Sequence, residues 1–288
     1  MKPIIGITLG DAAGIGPEVA LAALQSGELY PDFDYRLIGE SSSATPGKPT
    51  RATAEAAFAA LEEAARLTSV GEICAVVTGP VSKARMHEVG FHFPGQTEFF
   101  AARWHTPDYA MCLTGGALTV ALVTAHVPLR DVPGLLHSSE IVRVGRLLER
   151  FVAQRLGRTP RLAMAGLNPH AGESGDLGIE EITLLAPALT LLQSDAAEWS
   201  GPHSPDTLFH RAVAGDFDGV LCMYHDQGLI PLKLHAFDSG VNVTLGLPHP
   251  RTSPDHGTAF DLAGTGRARP ASMIAAIRLA AEMARKAQ

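Results

Sequence analysis

Short apolar runs alternate with stretches of helical periodicity along almost the whole chain, and this alternation restricts the fold more than any other feature. Pro3 to Leu9 reads as a buried strand, Gly10 to Pro17 as a turn, and Glu18 to Gln25 as a helix. Pro17 sits near the start of that helix, where a missing N–H is harmless. Tyr35 to Ile38 and Ile73 to Thr78 read as further strands, with the Ala-rich Ala52 to Leu67 as a helix between them. Glu40 to Thr50 is the one low-complexity stretch and reads as a surface loop. Gly115-Gly116 separates Ala110 to Thr114 from Leu118 to Thr124, the pattern of a β-hairpin. Ser138 to Leu156, Ile179 to Leu192 and Ser272 to Lys286 read as helices. Arg161 to Ala165, Gly219 to Tyr224 and Val241 to Leu245 read as strands. The pattern predicts an α/β fold, a mainly parallel sheet with helices on both faces. The hairpin adds an antiparallel element, in a second subdomain. No internal repeat is visible.

Bulk properties narrow the function. With 288 residues, 46% of them hydrophobic, the chain can bury one large core or two modest ones. A net charge of −7 argues against a general nucleic-acid binder, which normally carries a basic face. Cys74, Cys112 and Cys222 lie in apolar runs without CxxC spacing and read as small buried hydrophobes in a reducing compartment. The N-terminus lacks the apolar region and cleavage site of a signal peptide, and no run approaches the roughly 20 residues of a membrane span. The expectation is a cytoplasmic protein with no membrane partner.

Three histidines share one setting. His126 follows ALTVALVTA, His170 follows RLAMAGLNP, and His225 follows DGVLCMY. Each comes after the carboxyl end of an expected strand, with a polar or Gly-bearing turn expected beyond it. Ligands of open α/β sheets bind beyond that end. A single such histidine is more often a capping or hydrogen-bonding residue, but three could converge on one divalent ion, since neutral imidazole is a common metal ligand. Three protein ligands leave room for substrate oxygens, the arrangement of a catalytic metal.

Two other segments carry polar groups in suggestive order. The turn Gly10 to Glu18 is Gly-rich and precedes a helix; it reads either as a tight turn or as a backbone approach to a ligand. It is not GxGxxG, and no acidic residue follows at the distance that binds a ribose. Late in the chain, Lys233, Asn242 and Arg251 form a candidate anion clamp, with Arg251 able to grip a phosphate or carboxylate bidentately. Asp206 and Asp226 are candidate acid/base groups or supports for a ligand, Asp226 being adjacent to His225.

Taken together, GDAAGIGPE (10–18), TGPVSK (78–83), FPGQTEF (93–99), HVPLRDV (126–132), GLNPHAGE (166–173), PDTLF (205–209), MYHDQG (223–228) and the long segment 240–264 resemble the 4-hydroxythreonine-4-phosphate dehydrogenase (PdxA) family. The pairing of MYHDQG with RTSPDHGTA is specific, and the segments cover nearly the whole chain. The resemblance implies an isocitrate/isopropylmalate dehydrogenase-like fold: two intertwined subdomains with a cleft, in one chain over 1–288. That fold binds NAD or NADP without a Rossmann fingerprint. The implied chemistry is oxidation of a hydroxyl to a ketone with loss of the adjacent carboxylate, a step of vitamin B6 biosynthesis. The implied metal ligands are His126, His170 and His225, shared across a homodimer interface, for zinc, magnesium, cobalt or manganese. The implied substrate contacts are Gln96, Thr97, Lys233, Asn242 and Arg251. The implied cofactor loop contains His256, Gly257, Thr258, Ala259, Asp261 and Gly264. Lys233, Asp226 and Asp206 are the candidate proton handlers.

The chain departs from the pattern in two places. Gln96 stands where the biosynthetic enzymes have histidine, and an amide cannot titrate. The segment after the second strand is also shorter. Both fall where substrate selection can differ. The expected substrate is a small phosphorylated anion, 4-phosphohydroxy-L-threonine, with threonate or erythronate 4-phosphate or a cis-dihydrodiol as alternatives. A phosphate acyltransferase shares the broad fold but leaves the three histidines without a task.

Overall fold

A computed structural model describes residues 2–41, 44–193 and 196–287. Its backbone divides into two compact units: Met1–Pro107 with Val241–Gln288, and Asp108–Gly240.

In the first unit, β1 (Ile4–Thr8) lies between β2 (Asp34–Ile38) and β3 (Ala75–Thr78), parallel to both. β1 and β3 are apolar without alternation because they are covered on both faces; Ile5, Ile7, Val76 and Val77 are fully buried. β10 (Arg251–Pro254) runs parallel to β3 and antiparallel to β9 (Val241–Leu245). α1 (Gly16–Gln25) follows β1. α2 (Arg51–Ser69) is opened by a capping box: Thr53 N–H donates to Thr50 Oγ1 at 3.2 Å and Thr50 N–H to Thr53 Oγ1 at 3.1 Å. Its buried stripe of Ala57, Leu61, Ala64 and Leu67 packs into a cluster with Phe91, Phe99, Phe100 and Trp104. Two short helices, α3 (Lys83–Glu88) and α4 (Gln96–Arg103), bring those aromatics in.

The second unit opens with the expected hairpin, β4 (Ala110–Gly115) against β5 (Leu118–Leu122). β5 then pairs in parallel with β8 (Gly219–Cys222), β8 with β6 (Arg161–Ala165), and β6 with β7 (Glu198–His203). The three strands that precede His126, His225 and His170 are therefore neighbours, and their carboxyl ends share one edge. α6 (Ser138–Leu156) is the expected amphipathic helix and ends at Gly157, left-handed at φ 70°.

Two local readings differ from the structure. Ile179 to Leu192 is not one α-helix: a π-helical turn (Glu181–Leu185) precedes α7 (Ala186–Leu192). Pro187 has no N–H to give the preceding turn, and Ala186 N–H reaches back to Glu181 O. His225 is not followed by a turn but begins α9 (His225–Ala236), which Gly228 and Pro231 disguise in the sequence. β7 and α8 (Pro205–Val213), like the short helices, are too brief to show a period. Of the expected surface loop Glu40 to Thr50, Ser42 and Ser43 lie outside the described residues. Cys112 and Cys222 are buried free thiols, and burial pushes the Cys112 thiol up to about 12. Among the described residues no helix is long and apolar enough to cross a membrane.

Candidate active site

The first unit gathers neutral polar groups around the buried side chain of Arg251. This side chain, on the first residue of β10, is 3% exposed. Its guanidinium donates to Thr78 Oγ1 (2.5 Å), to Gln96 Oε1 (2.9 Å) and to Thr244 Oγ1 (3.3 Å), while its Nε is buried without a partner. Thr78 closes β3, Thr244 lies on β9, and Gln96 begins α4, so the parallel and antiparallel neighbours of β10 supply the groups that surround Arg251. These acceptors are neutral. Burial accordingly pulls the Arg251 pKa down to about 10, with Glu98 acting in the opposite sense. The group still carries its charge at neutral pH, and a buried cation among neutral dipoles favours an incoming anion.

Gln96 is fixed from both ends, since its Nε2 donates to Gly79 O at 3.1 Å. Thr97 Oγ1 is 3.2 Å from Thr244 Oγ1. Asn242, on β9, has a buried Oδ1 without a partner. Of the expected substrate contacts, Gln96, Thr97, Asn242 and Arg251 thus belong to one unit. Lys233 belongs to the other, half-buried on α9 about two turns beyond His225. Sequence reasoning missed Thr78 and Thr244; the TGP tripeptide after a buried strand was the available signal for the first.

The Gly-rich turn resolves toward the tight-turn reading. Asp11 N–H donates to Pro80 O at 2.9 Å and Ile15 N–H to Thr258 O at 2.9 Å. A Cβ at Gly14 would stand 2.6 Å from Thr258 O, and one at Gly10, left-handed at φ 70°, 2.2 Å from Pro80 O. The glycines let the 256–264 loop lie directly on the turn. In that loop, Leu262 N–H donates to Ala259 O at 2.9 Å, and Ala259 itself is left-handed at φ 42°. His256 Nε2 is buried without a partner, an orphaned polar atom that suits a loop awaiting a ligand. Gly257 has open space where a side chain would be, whereas Gly264, at φ 75°, packs on Pro46. Thr258 and Asp261 complete the loop, half-buried and exposed.

The second unit holds the histidines. The His126 and His225 rings stand 5.6 Å apart, centroid to centroid. With Val127, Leu129, Tyr224 and Asp226 they line a recess of about 250 Å³. His225 Nδ1 donates to Asp226 Oδ1 at 2.7 Å, which leaves Nε2 with a free lone pair. His170 is exposed and begins a left-handed turn after β6. It lies close enough to Asp206 to act on its charge: the Ser204 hydroxyl first, and His170 after it, hold the Asp206 carboxyl below the usual range. Among the described residues no three His, Cys, Asp or Glu side chains are gathered around one point where they could hold an ion. A single chain thus brings His126 and His225 together and presents His170 separately. Two imidazoles facing one recess, one of them steadied by a carboxylate, are nonetheless a donor set suited to a divalent ion.

With a buried guanidinium in one unit and paired imidazoles at a parallel-sheet edge in the other, the chain has an α/β fold of the isocitrate/isopropylmalate dehydrogenase-like class. The fold matches isocitrate dehydrogenase from Methylococcus capsulatus with a TM-score of 0.53 over 98% of this chain and 84% of that one; at 16% identity the likeness is one of fold alone. Residues 18–280 match the family described as pyridoxal phosphate biosynthetic protein PdxA. The 4-hydroxythreonine-4-phosphate dehydrogenase of Bradyrhizobium diazoefficiens is 46% identical over 286 residues, 96% of this chain and 82% of that protein. The crystal structure of 4-hydroxythreonine-4-phosphate dehydrogenase from Klebsiella pneumoniae aligns over 100% of both chains with a TM-score of 0.82 and 35% identity. The chain belongs to the PdxA family, whose named members are dehydrogenases.

Proposed function

We propose that the chain oxidises 4-phosphohydroxy-L-threonine with NAD, releasing carbon dioxide and 3-amino-2-oxopropyl phosphate for pyridoxal phosphate biosynthesis. The observation that carries this reading is Arg251, a buried guanidinium with a free Nε and only neutral acceptors. It is suited to the phosphate, with Thr78, Thr97, Asn242 and Thr244 supplying further polar contacts. His126, His170 and His225 are the residues that would hold a divalent ion, which when bound supplies Lewis-acid polarisation of the substrate's hydroxyl and carboxylate oxygens. Asp226 keeps His225 in the tautomer that presents Nε2. Asp206, held ionised, and Lys233 are the remaining proton handlers. The loop His256 to Gly264 would hold the adenosine side of NAD, with the His256 Nε2 as an available polar contact.

A homodimer with a shared site is part of the proposal. The outer face of α9, the helix that begins with His225, carries Ile230 and Leu234, exposed at 65% and 88%, and Phe237, exposed at 71%, follows at its C-cap. Such a stripe is the signature of an association surface. Leu234→Glu is expected to convert the dimer to monomer in light scattering and to remove most activity with it. A variant that stays dimeric and active contradicts this assignment.

A second reading keeps the chemistry on threonate or erythronate 4-phosphate. Gln96 motivates it: the biosynthetic enzymes carry histidine at this position, whereas this amide, clamped between Gly79 O and Arg251, cannot titrate. NADH formation on a panel of these acids separates the two. Faster turnover of 4-phosphohydroxy-L-threonine supports the first; fast turnover of a nitrogen-free acid beside weak turnover of the amino acid supports the second.

A further inference from the structure

His170 begins five consecutive residues with left-handed backbone: φ is 51° at His170, 51° at Ala171, 80° at Gly172, 43° at Glu173 and 58° at Ser174. Residues with a Cβ are disfavoured in that region because Cβ crowds the following carbonyl. Four of the five carry one, so the turn must be held by its surroundings.

The buried carboxylate of Glu181 does the holding. Glu181 is 4% exposed. Its Oε1 accepts from the backbone N–H groups of Leu167 and Asn168, both at 2.7 Å, and its Oε2 accepts from Asn168 Nδ2 at 2.9 Å. The carboxylate therefore grips the chain immediately before the turn. It also underlies the turn's middle: a Cβ at Gly172 would lie 2.7 Å from Glu181 Oε2. Asn168 is held from a second side by Glu180 Oε2 at 2.7 Å, and Ala171 N–H donates back to Asn168 O at 3.1 Å. Three charge-assisted hydrogen bonds converging on one buried anion make a stiff joint. Glu181 reaches this position from the π-helical turn Glu181–Leu185, a widened turn of the kind that often marks a functional position.

We propose that Glu181 is a positioning residue: it fixes the left-handed turn that aims His170, and so sets metal affinity without touching the ion. The proposal rests on the reading of His170 as a metal ligand. The carboxylate holds the chain between the strand end and the turn and lies beneath Gly172. Its removal leaves two backbone N–H groups near His170 without their acceptor, and the turn loses its reason to stay left-handed. The glutamine isostere keeps a carbonyl oxygen for both N–H groups but sets its own NH2 against Asn168 Nδ2.

Co2+ binding to the metal-free full chain, measured by competition with a chromophoric chelator, tests this. Glu181→Ala is expected to weaken Co2+ binding about 10- to 100-fold with the far-ultraviolet circular dichroism unchanged. Glu181→Gln is expected to recover most of that loss. The double variant Glu181→Ala/His170→Ala is expected to bind no more weakly than His170→Ala, because the effect passes through His170. If Glu181→Ala fails to fold, the same cycle is run with Glu181→Asp, whose shorter side chain draws the carboxylate away from the two N–H groups. Additive losses in the double variant assign Glu181 a general structural role and overturn the proposal. A loss in His170→Ala beside wild-type affinity in the Glu181 variants overturns the proposal and leaves the metal reading standing. Unchanged affinity in both single variants overturns the metal reading and the proposal together.

Discussion

Alanine in place of Arg251 is expected to raise KM for a phosphorylated hydroxy acid at least about 100-fold, some 2.7 kcal/mol of binding free energy, with a smaller change in kcat. The size follows from the surroundings of the side chain. The guanidinium is buried, its acceptors Thr78, Gln96 and Thr244 are neutral, and its Nε faces no partner. An anion that enters gains a charge-assisted contact in a low-dielectric site, and the strained charge of Arg251 is relieved at the same time. Arg251→Lys keeps the charge and loses the planar fork, so its KM should lie between wild type and alanine. Arg251→Met should leave thermal stability at or above the wild-type value, because the desolvated charge that depresses its pKa is gone. Steady-state kinetics and thermal unfolding on the three variants check this. An unchanged KM in Arg251→Ala removes Arg251 from the phosphate site.

Replacing His225 by alanine is expected to lower kcat/KM at least about 10³-fold, about 4 kcal/mol of transition-state stabilisation, and excess metal should not restore it. His225 faces His126 across the recess and has its Nδ1 occupied by Asp226, which leaves Nε2 to bind the ion. Asp226→Asn should be milder, about 10- to 100-fold, because the imidazole remains and only its tautomer and orientation are loosened. The graded pair distinguishes a ligand from its support. Equal, small effects in both variants would mean that the recess does not hold the ion.

The legible part of the fold was its periodic part. β1, β3, the β4–β5 hairpin, α2, α6 and the last helix, α10 (Ala271–Ala287), are long or apolar enough to declare their period or their turn. Elements that serve the site were harder to see. α9 begins on a metal-candidate histidine and contains Gly228 and Pro231, and Gly228 is there because a Cβ would press on Cys222 Sγ at 3.0 Å. β10 is four residues long and contains Pro254. The left-handed turn after β6 has no sequence signal beyond its glycines, since four of its five left-handed residues are ones that avoid that conformation.

Site residues divide in the same way. Strand-end logic singled out His126, His170 and His225 as candidates, and charge logic singled out Arg251. Neither could find Thr78, Thr244, Gln227 or Glu181, whose roles exist only through partners distant in the chain. Gln227 is an instance: buried, it accepts from Met223 N–H at 2.7 Å and donates to Gly166 O at 2.6 Å, tying the strand end that carries His225 to the one that carries His170. The resemblance to PdxA proteins, carried by motifs along the chain, supplied what spacing could not. Its departure at Gln96 now has a structural meaning, an amide locked against Arg251 and Gly79.

We propose that this chain oxidises a phosphorylated hydroxy acid with NAD at a site that needs a divalent ion. The direct measurement is NADH absorbance with purified protein, NAD and 4-phosphohydroxy-L-threonine, before and after chelation and after metal is returned. The expected result is NADH formation that chelator abolishes and added divalent metal restores. NADH formation indifferent to chelator, or none from this substrate or from threonate or erythronate 4-phosphate, would contradict it.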